Sequence, residues 1–367
     1  MKEIYITKPY LPPIDEYIEK ISRIWQNHVL TNMGPLHREF EQYLTQFLQV
    51  PFCLAFANGH LALEMAIQSL DLKGEVITTP FTFASTTHAI VRNGLTPVFC
   101  DIQENNYTIN ADKIEELITE KTSAILPVHV YGQICDTEKI QKIADQHHLK
   151  VIYDAAHAFG EEKCGRGVGT FGDLSIFSFH ATKPFNSIEG GAVTFSNYEL
   201  GARLYQLKNF GFMGEDNVCG IGGNAKLSEF HSAMGLCNLE HLDEIHDGRK
   251  RVADHYRERL STVAGLRILE RQQGVKENYA YFPVLIDEKQ FGEDRDGVYC
   301  RLKEKGIYAR RYFYPLTKDF ACYRKQFSGC KTPVAEYVTE HILTLPLYDS
   351  LSDEEIDYIC DTILKRG

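Results

Sequence analysis

EVITTPFTFASTTHAIVRNGLTPVFCD, residues 75–101, decides the fold. The run Glu75–Thr79 is apolar and β-branched, and Pro80 stops it. Ser85–Arg92 has helical spacing, Gly94 ends it, and Thr96–Cys100 is a second apolar strand closed by Asp101. The pattern repeats outward: a helix over Asp112–Thr119, an apolar run Ala124–Val128, a helix over Glu138–His147 and a strand Val151–Asp154. Strands that are apolar throughout, alternating with helices at short spacing, predict a mostly parallel α/β sheet covered on both faces.

Beyond Asp154 the rhythm changes. Leu174–Phe179 and Ala192–Phe195 read as strands, and two helical stretches cover Lys226 to Leu260. A strand Tyr281–Ile286, a helix Asp296–Lys305, a strand Ile307–Arg311 and a helix Asp353–Leu364 then predict a smaller α+β unit. The expected division is a large domain over 1–240 and a small one over 241–367. A chain of 367 residues is long enough to bury roughly 75% of its unfolded surface.

The net charge of −11, and a longest Lys/Arg run of only Arg249–Lys250–Arg251, argue against a phosphate-tracking nucleic-acid surface. None of the ten cysteines forms a Cys-x-x-Cys pair, so zinc-knuckle and dithiol motifs lack their spacing. The expectations are no metal, no membrane, and reduced thiols in the cytoplasm.

In an open parallel sheet, ligands bind beyond the carboxyl ends of the strands. The strand over 151–154 ends on Asp154, which could keep a pyridinium nitrogen protonated or simply cap a helix. Ser178–Phe179–His180–Ala181–Thr182–Lys183 follows another buried run. A lysine there could form a Schiff base or be solvated in a loop, and Ser178 could donate to a phosphate. Asn58–Gly59–His60 opens a helix whose free N–H groups could bind phosphate, and Phe83 could stack on an aromatic ring or lie in the core.

Taken with LTNMGPLHREFE (30–41), ANGHLALEMAI (57–67), VIYDAAHAFG (151–160), SFHATKPFNSIEGGAV (178–193), GGNAKLSEFHSAMG (222–235) and LPLYDSLSDEEI (345–356), these segments resemble the DegT-type sugar aminotransferases along almost the whole chain. The resemblance implies the type I pyridoxal-5′-phosphate (PLP) transferase fold, with Lys183 as the cofactor-holding lysine and Asp154 as the pyridinium partner. It places His157 near the ring hydroxyl, and Ser178, Gly59 and His60 at the phosphate, with Phe83 stacked on the ring. Asn224 would reach the neighbouring subunit's cofactor in a homodimer. Glu189, Arg310 and Tyr314 would lie on the substrate side, and Arg310 and Arg311 could also be solvated.

Where this chain has Asn58–Gly59–His60, the family commonly has Ser-Gly-Thr, which leaves the roles of Asn58 and the His60 side chain open. The resemblance also implies L-glutamate as donor and a nucleotide-linked keto sugar as acceptor, best fitting C-4 of dTDP-4-keto-6-deoxy-D-glucose. A C-3 aminotransferase, a non-catalytic ligand sensor and an amino-acid lyase of the same fold are the alternatives. A dehydratase of this fold would carry histidine in place of Lys183.

Overall fold

The computed structural model describes residues 3–365. Seven apolar segments form one sheet: β1 (Phe52–Phe56), β2 (Glu75–Thr78), β3 (Thr96–Phe99), β4 (Thr122–Leu126), β5 (Lys150–Asp154), β6 (Leu174–Ser178) and β7 (Gly191–Phe195). Their spatial order is β1-β7-β6-β5-β4-β2-β3. All neighbours are parallel except β7, which runs antiparallel to both β1 and β6. The sheet is therefore mostly parallel, as expected from its continuous apolar strands.

Successive residues of β5 show why those strands carry no polar face. Ile152 packs into a cluster with Phe56, Leu63 and Ile176 on one side of the sheet. Val151 and Tyr153 pack into another with Phe40, Phe177 and Phe179 on the opposite side. Helix Gly59–Ser69 contributes to the first layer, and helices Pro35–Phe47 and Glu229–Glu240 to the second. Burial on both faces leaves no position for water-facing side chains.

A third cluster gathers Val252 and Tyr256 of helix Leu242–Leu260, the antiparallel strands Leu266–Ile268, Phe282–Ile286 and Ile342–Leu345, and helices Arg295–Glu304 and Asp353–Leu364. Ile4 joins this cluster through a bridge to Ile307. An aromatic cluster including Phe81, Tyr131 and Phe313 links it to the sheet. Among the described residues, no helix is long and apolar enough to cross a membrane.

Two local expectations are corrected. Asp112–Thr119 forms two one-turn 3-10 segments, Ala111–Lys113 and Glu115–Leu117, not one helix. The Asn110 side chain accepts from Asp112 N, and Ile118 is already extended, so no room remains for the two α-turns that eight residues would make. Ile307–Arg311 is no continuous strand either. Tyr308 N donates to Ile4 O, whereas Arg310 exchanges backbone hydrogen bonds with Thr344, so the segment changes partner midway.

Candidate active site

The carboxyl ends of β1, β2, β5 and β6 open on a cleft of about 850 Å³. Gly59 and His60 enter it after β1, Phe83 after β2, Asp154 and His157 at the end of β5, and Ser178, Lys183 and Glu189 after β6. These residues span more than a hundred positions in the chain, and parallel strand ends bring them together.

At the floor of the cleft Asp154 is buried. Its Oδ2 accepts from Thr86 Oγ1 at 2.8 Å and its Oδ1 from Ala156 N at 3.1 Å. Burial raises its pKa above the ordinary carboxylate value, and these two donors pull the other way. Half-buried Lys183 places Nζ 3.4 Å from Tyr281 Oη. Burial pushes the Lys183 amine down to about 8, against the attraction of Asp154. The neutral form of this amine is therefore far more populated near neutral pH than that of an ordinary surface lysine.

One wall is built for an anion. The Asn58 side chain caps helix Gly59–Ser69 by accepting from Leu61 N at 2.9 Å, and Asn58 O accepts from Ala62 N. The Gly59 and His60 N–H groups precede the first intrahelical bond and are open to a ligand. Gly59 is required by close approach: a Cβ there would lie 2.7 Å from Ser178 Cβ. The backbone thus comes right up to Ser178, with no side chain filling the space.

The opposite wall is aromatic. His157 is buried, and its Nδ1 accepts from Tyr131 N at 3.1 Å, which assigns the ring proton to Nε2. Burial holds its pKa well below the ordinary histidine range, so the imidazole is neutral. Phe313 stacks on it at 5.7 Å, and Tyr281 meets it edge-on at 4.8 Å. Phe83 is 56% exposed and lines the cleft, so its ring is free to stack on a ligand.

Three expected site residues are not brought to the cleft by this chain. Asn224 is exposed, bridges Asn209 and accepts from Lys226 Nζ at 2.7 Å. Arg310 pairs its backbone with Thr344. A turn closed by Tyr314 N and Arg311 O leaves Tyr314 under the Arg295 and Arg311 guanidinium groups. Tyr312 and Phe313 line the cleft instead. Thr86, Tyr281, Tyr312 and Phe313 escaped the sequence reading. Tyr281 sits in no motif, and Tyr312 and Phe313 lie within RRYFYPL (310–316), whose resemblance to the C-4 branch does not single them out; Thr86 stands eight residues beyond β2, on the helix that Phe83 introduces.

The residues present fit pyridoxal 5′-phosphate. They supply a buried carboxylate for the ring nitrogen, an amine with a depressed pKa, a neutral imidazole N–H, an exposed phenyl face and a glycine-floored anion cradle.

Comparison with known proteins agrees. Residues 14–364 match the model of the DegT/DnrJ/EryC1/StrS aminotransferase family. A dTDP-4-amino-4,6-dideoxy-D-glucose transaminase of Shigella dysenteriae is 44% identical over 362 residues, covering 99% of this chain and 98% of that protein. The structure of DesI in the presence of its TDP-sugar product superposes with a TM-score of 0.95 at 35% identity, covering 100% of this chain and 93% of that one. NtdA from Bacillus subtilis with bound cofactor PMP gives a TM-score of 0.88 at 26% identity, covering 96% and 81%. With the match running nearly end to end and the cleft furnished as such an enzyme requires, this chain belongs to the DegT/DnrJ/EryC1/StrS aminotransferase family.

Proposed function

We propose that this chain transfers the amino group of L-glutamate to C-4 of dTDP-4-keto-6-deoxy-D-glucose, giving dTDP-4-amino-4,6-dideoxy-D-glucose, with PLP held by Lys183. One observation carries the reading: Asp154 and Lys183 share a single cleft in a chain that matches, over its full length, a transaminase named for that amino sugar.

When bound, PLP supplies an electron-accepting ring that stabilises negative charge at the amino-bearing carbon. Asp154, fixed by Thr86 and Ala156, holds the proton on the ring nitrogen. His157 would offer its Nε2 proton to the ring hydroxyl, and Phe83 would cover one face. Gly59 N, His60 N and Ser178 Oγ would hold the phosphate. Lys183 Nζ moves the proton at the substrate carbon in each half-reaction, and burial keeps enough of it neutral to act as a base near neutrality. Glu189, at the mouth, faces the substrate side.

The active unit is a homodimer in which Asn224 meets the neighbouring site. Exposed apolar side chains support this: Ile14, Ile18 and Trp25 recur at helical spacing on one face of helix Ile14–Asn27, and Phe210, Met213 and Ile221 are exposed on the segment that leads to Asn224. Arg310 is assigned to the sugar nucleotide's pyrophosphate, and Tyr314 to the substrate side of the assembled dimer. The division assigned is a large domain over 1–240 and a small one over 241–367: Val252, Ala253, Tyr256 and Leu260 of helix Leu242–Leu260 support it by joining the small unit's cluster, to which Ile4 also adds itself, while Leu242 packs with the sheet. A cytoplasmic location suits ten unpaired cysteines.

Incubation with dTDP-4-keto-6-deoxy-D-glucose, L-glutamate and PLP, followed by NMR of the sugar product, tests the assignment. Nitrogen on C-4 is expected. Nitrogen on C-3 after supply of a 3-keto isomer, with no C-4 product, would move the chain to the C-3 branch.

A further inference from the structure

His60 replaces the hydroxyl residue that the resemblance leads one to expect, yet its side chain is not idle. Nδ1 lies 2.8 Å from Ser85 Oγ, and Nε2 lies 3.7 Å from a Glu64 carboxylate oxygen. Glu64 is in turn bound by Arg92. The row Ser85–His60–Glu64–Arg92 therefore ties two helices together, running from the cleft at Ser85 and His60 to the far end of helix Ala84–Arg92. Ser85, in the first turn of helix Ala84–Arg92, lines the same cleft as Gly59 and His60.

The proton on His60 decides what Ser85 can do. With a neutral ring whose proton faces Glu64, Nδ1 is an acceptor and takes the Ser85 hydroxyl hydrogen. Ser85 then shows only lone pairs to the cleft, which repel an anion. With a charged ring, both N–H groups donate, one to Ser85 Oγ and one towards Glu64. The Ser85 hydrogen is then free to point at a phosphate oxygen, and the imidazolium adds its charge.

We infer that His60 is a positioning residue for the cofactor's phosphate end, and that phosphate binding takes up a proton at His60 and turns Ser85 into a phosphate donor. The inference rests on the PLP reading above.

The surrounding charges make the uptake measurable. Burial lowers the pKa of His60. Glu64 on its own helix and Asp154 on β5 favour the proton, whereas Arg92 and His88 on the facing helix oppose it. The free enzyme near neutral pH thus holds a mostly neutral His60, and a dianion reverses the balance. Reciprocity then requires phosphate-end affinity to fall as pH rises through the loaded-state pKa of His60.

The test is calorimetry on the full-length apoenzyme in buffers of different ionisation enthalpy, between about pH 6 and 8 where histidine titrates. The probes are pyridoxamine phosphate, which makes no bond to Lys183, and inorganic phosphate. Wild type should take up more protons than His60→Thr, by a fraction approaching one proton, and lose affinity more steeply with pH. His60→Thr, which restores a hydroxyl, should still bind. Ser85→Ala should bind about tenfold more weakly. Equal proton uptake by wild type and His60→Thr, or an unchanged affinity in Ser85→Ala, would overturn the inference. Binding of phosphate with proton uptake but no binding of pyridoxamine phosphate would overturn the cofactor reading and leave the relay standing. Failure of both probes would overturn both.

Discussion

Thr86 Oγ1 donates to Asp154 Oδ2 across 2.8 Å, and Thr82 Oγ1 lies 2.9 Å from the same threonine hydroxyl. A helix that begins just after β2 therefore orients the carboxylate that ends β5. Hydrogen bonds to charged groups contribute about 1.5–3 kcal/mol. Thr86→Val should lower kcat about ten- to a hundredfold in both half-reactions. Thr86→Ser should stay near wild type. A valine variant with unchanged kcat would show that Asp154 needs no such support.

Burial outweighs the pull of Asp154 and brings the Lys183 amine down to about 8. Its reaction with trinitrobenzenesulfonate, followed by peptide mapping of the apoenzyme, should rise with pH and reach half its maximum near that value. Removing the negative neighbour in Asp154→Asn should move the half-point to lower pH, since less charge then favours the ammonium form. A shift to higher pH would contradict the assigned electrostatics.

Gly59 leaves no space for a methyl group against Ser178. Gly59→Ala must displace either the helix start or β6. PLP affinity, measured by absorbance titration of the apoenzyme, should fall by at least about tenfold, on the order of one lost charge-assisted hydrogen bond. Unchanged affinity would place the phosphate elsewhere.

Glu161 is 2% exposed, with one carboxylate oxygen accepting from Asn278 N and the other unpartnered among the described residues. Burial raises its pKa well above the ordinary value, so the folded protein holds it neutral while the unfolded chain ionises it. Stability is retained below the unfolded pKa and falls as pH rises towards the folded one. Glu161→Gln removes that loss. Its Tm advantage over wild type should grow from pH 5 to pH 8, and a constant difference would mean the acid is ionised in the fold.

Legibility in the sequence followed the range of the interactions. Strands β2 to β6 are readable because a strand buried on both faces shows itself in four or five consecutive residues. Asp154, Ser178 and Lys183 stand at or just beyond strand ends, where the local reading leaves a helix cap or a solvated lysine open, and the family resemblance is what singles them out. The 3-10 segments after Asn110 were misread as one helix, since side-chain capping and the extended Ile118 outweigh local propensity. Tyr281 and Tyr312 were invisible as site residues, because only the packing of the smaller unit against the sheet brings them to Lys183 and His157. The resemblance at residues 58–60 marked a departure without explaining it. Only coordinates show Asn58 as a helix cap and His60 bridged to Ser85.

Reduction of the PLP-loaded enzyme with borohydride, followed by peptide mapping, addresses the central assignment most directly. The phosphopyridoxyl group should appear on Lys183, in the peptide that carries SFHATK. Label on any other lysine, or a loaded enzyme that yields none, would contradict it.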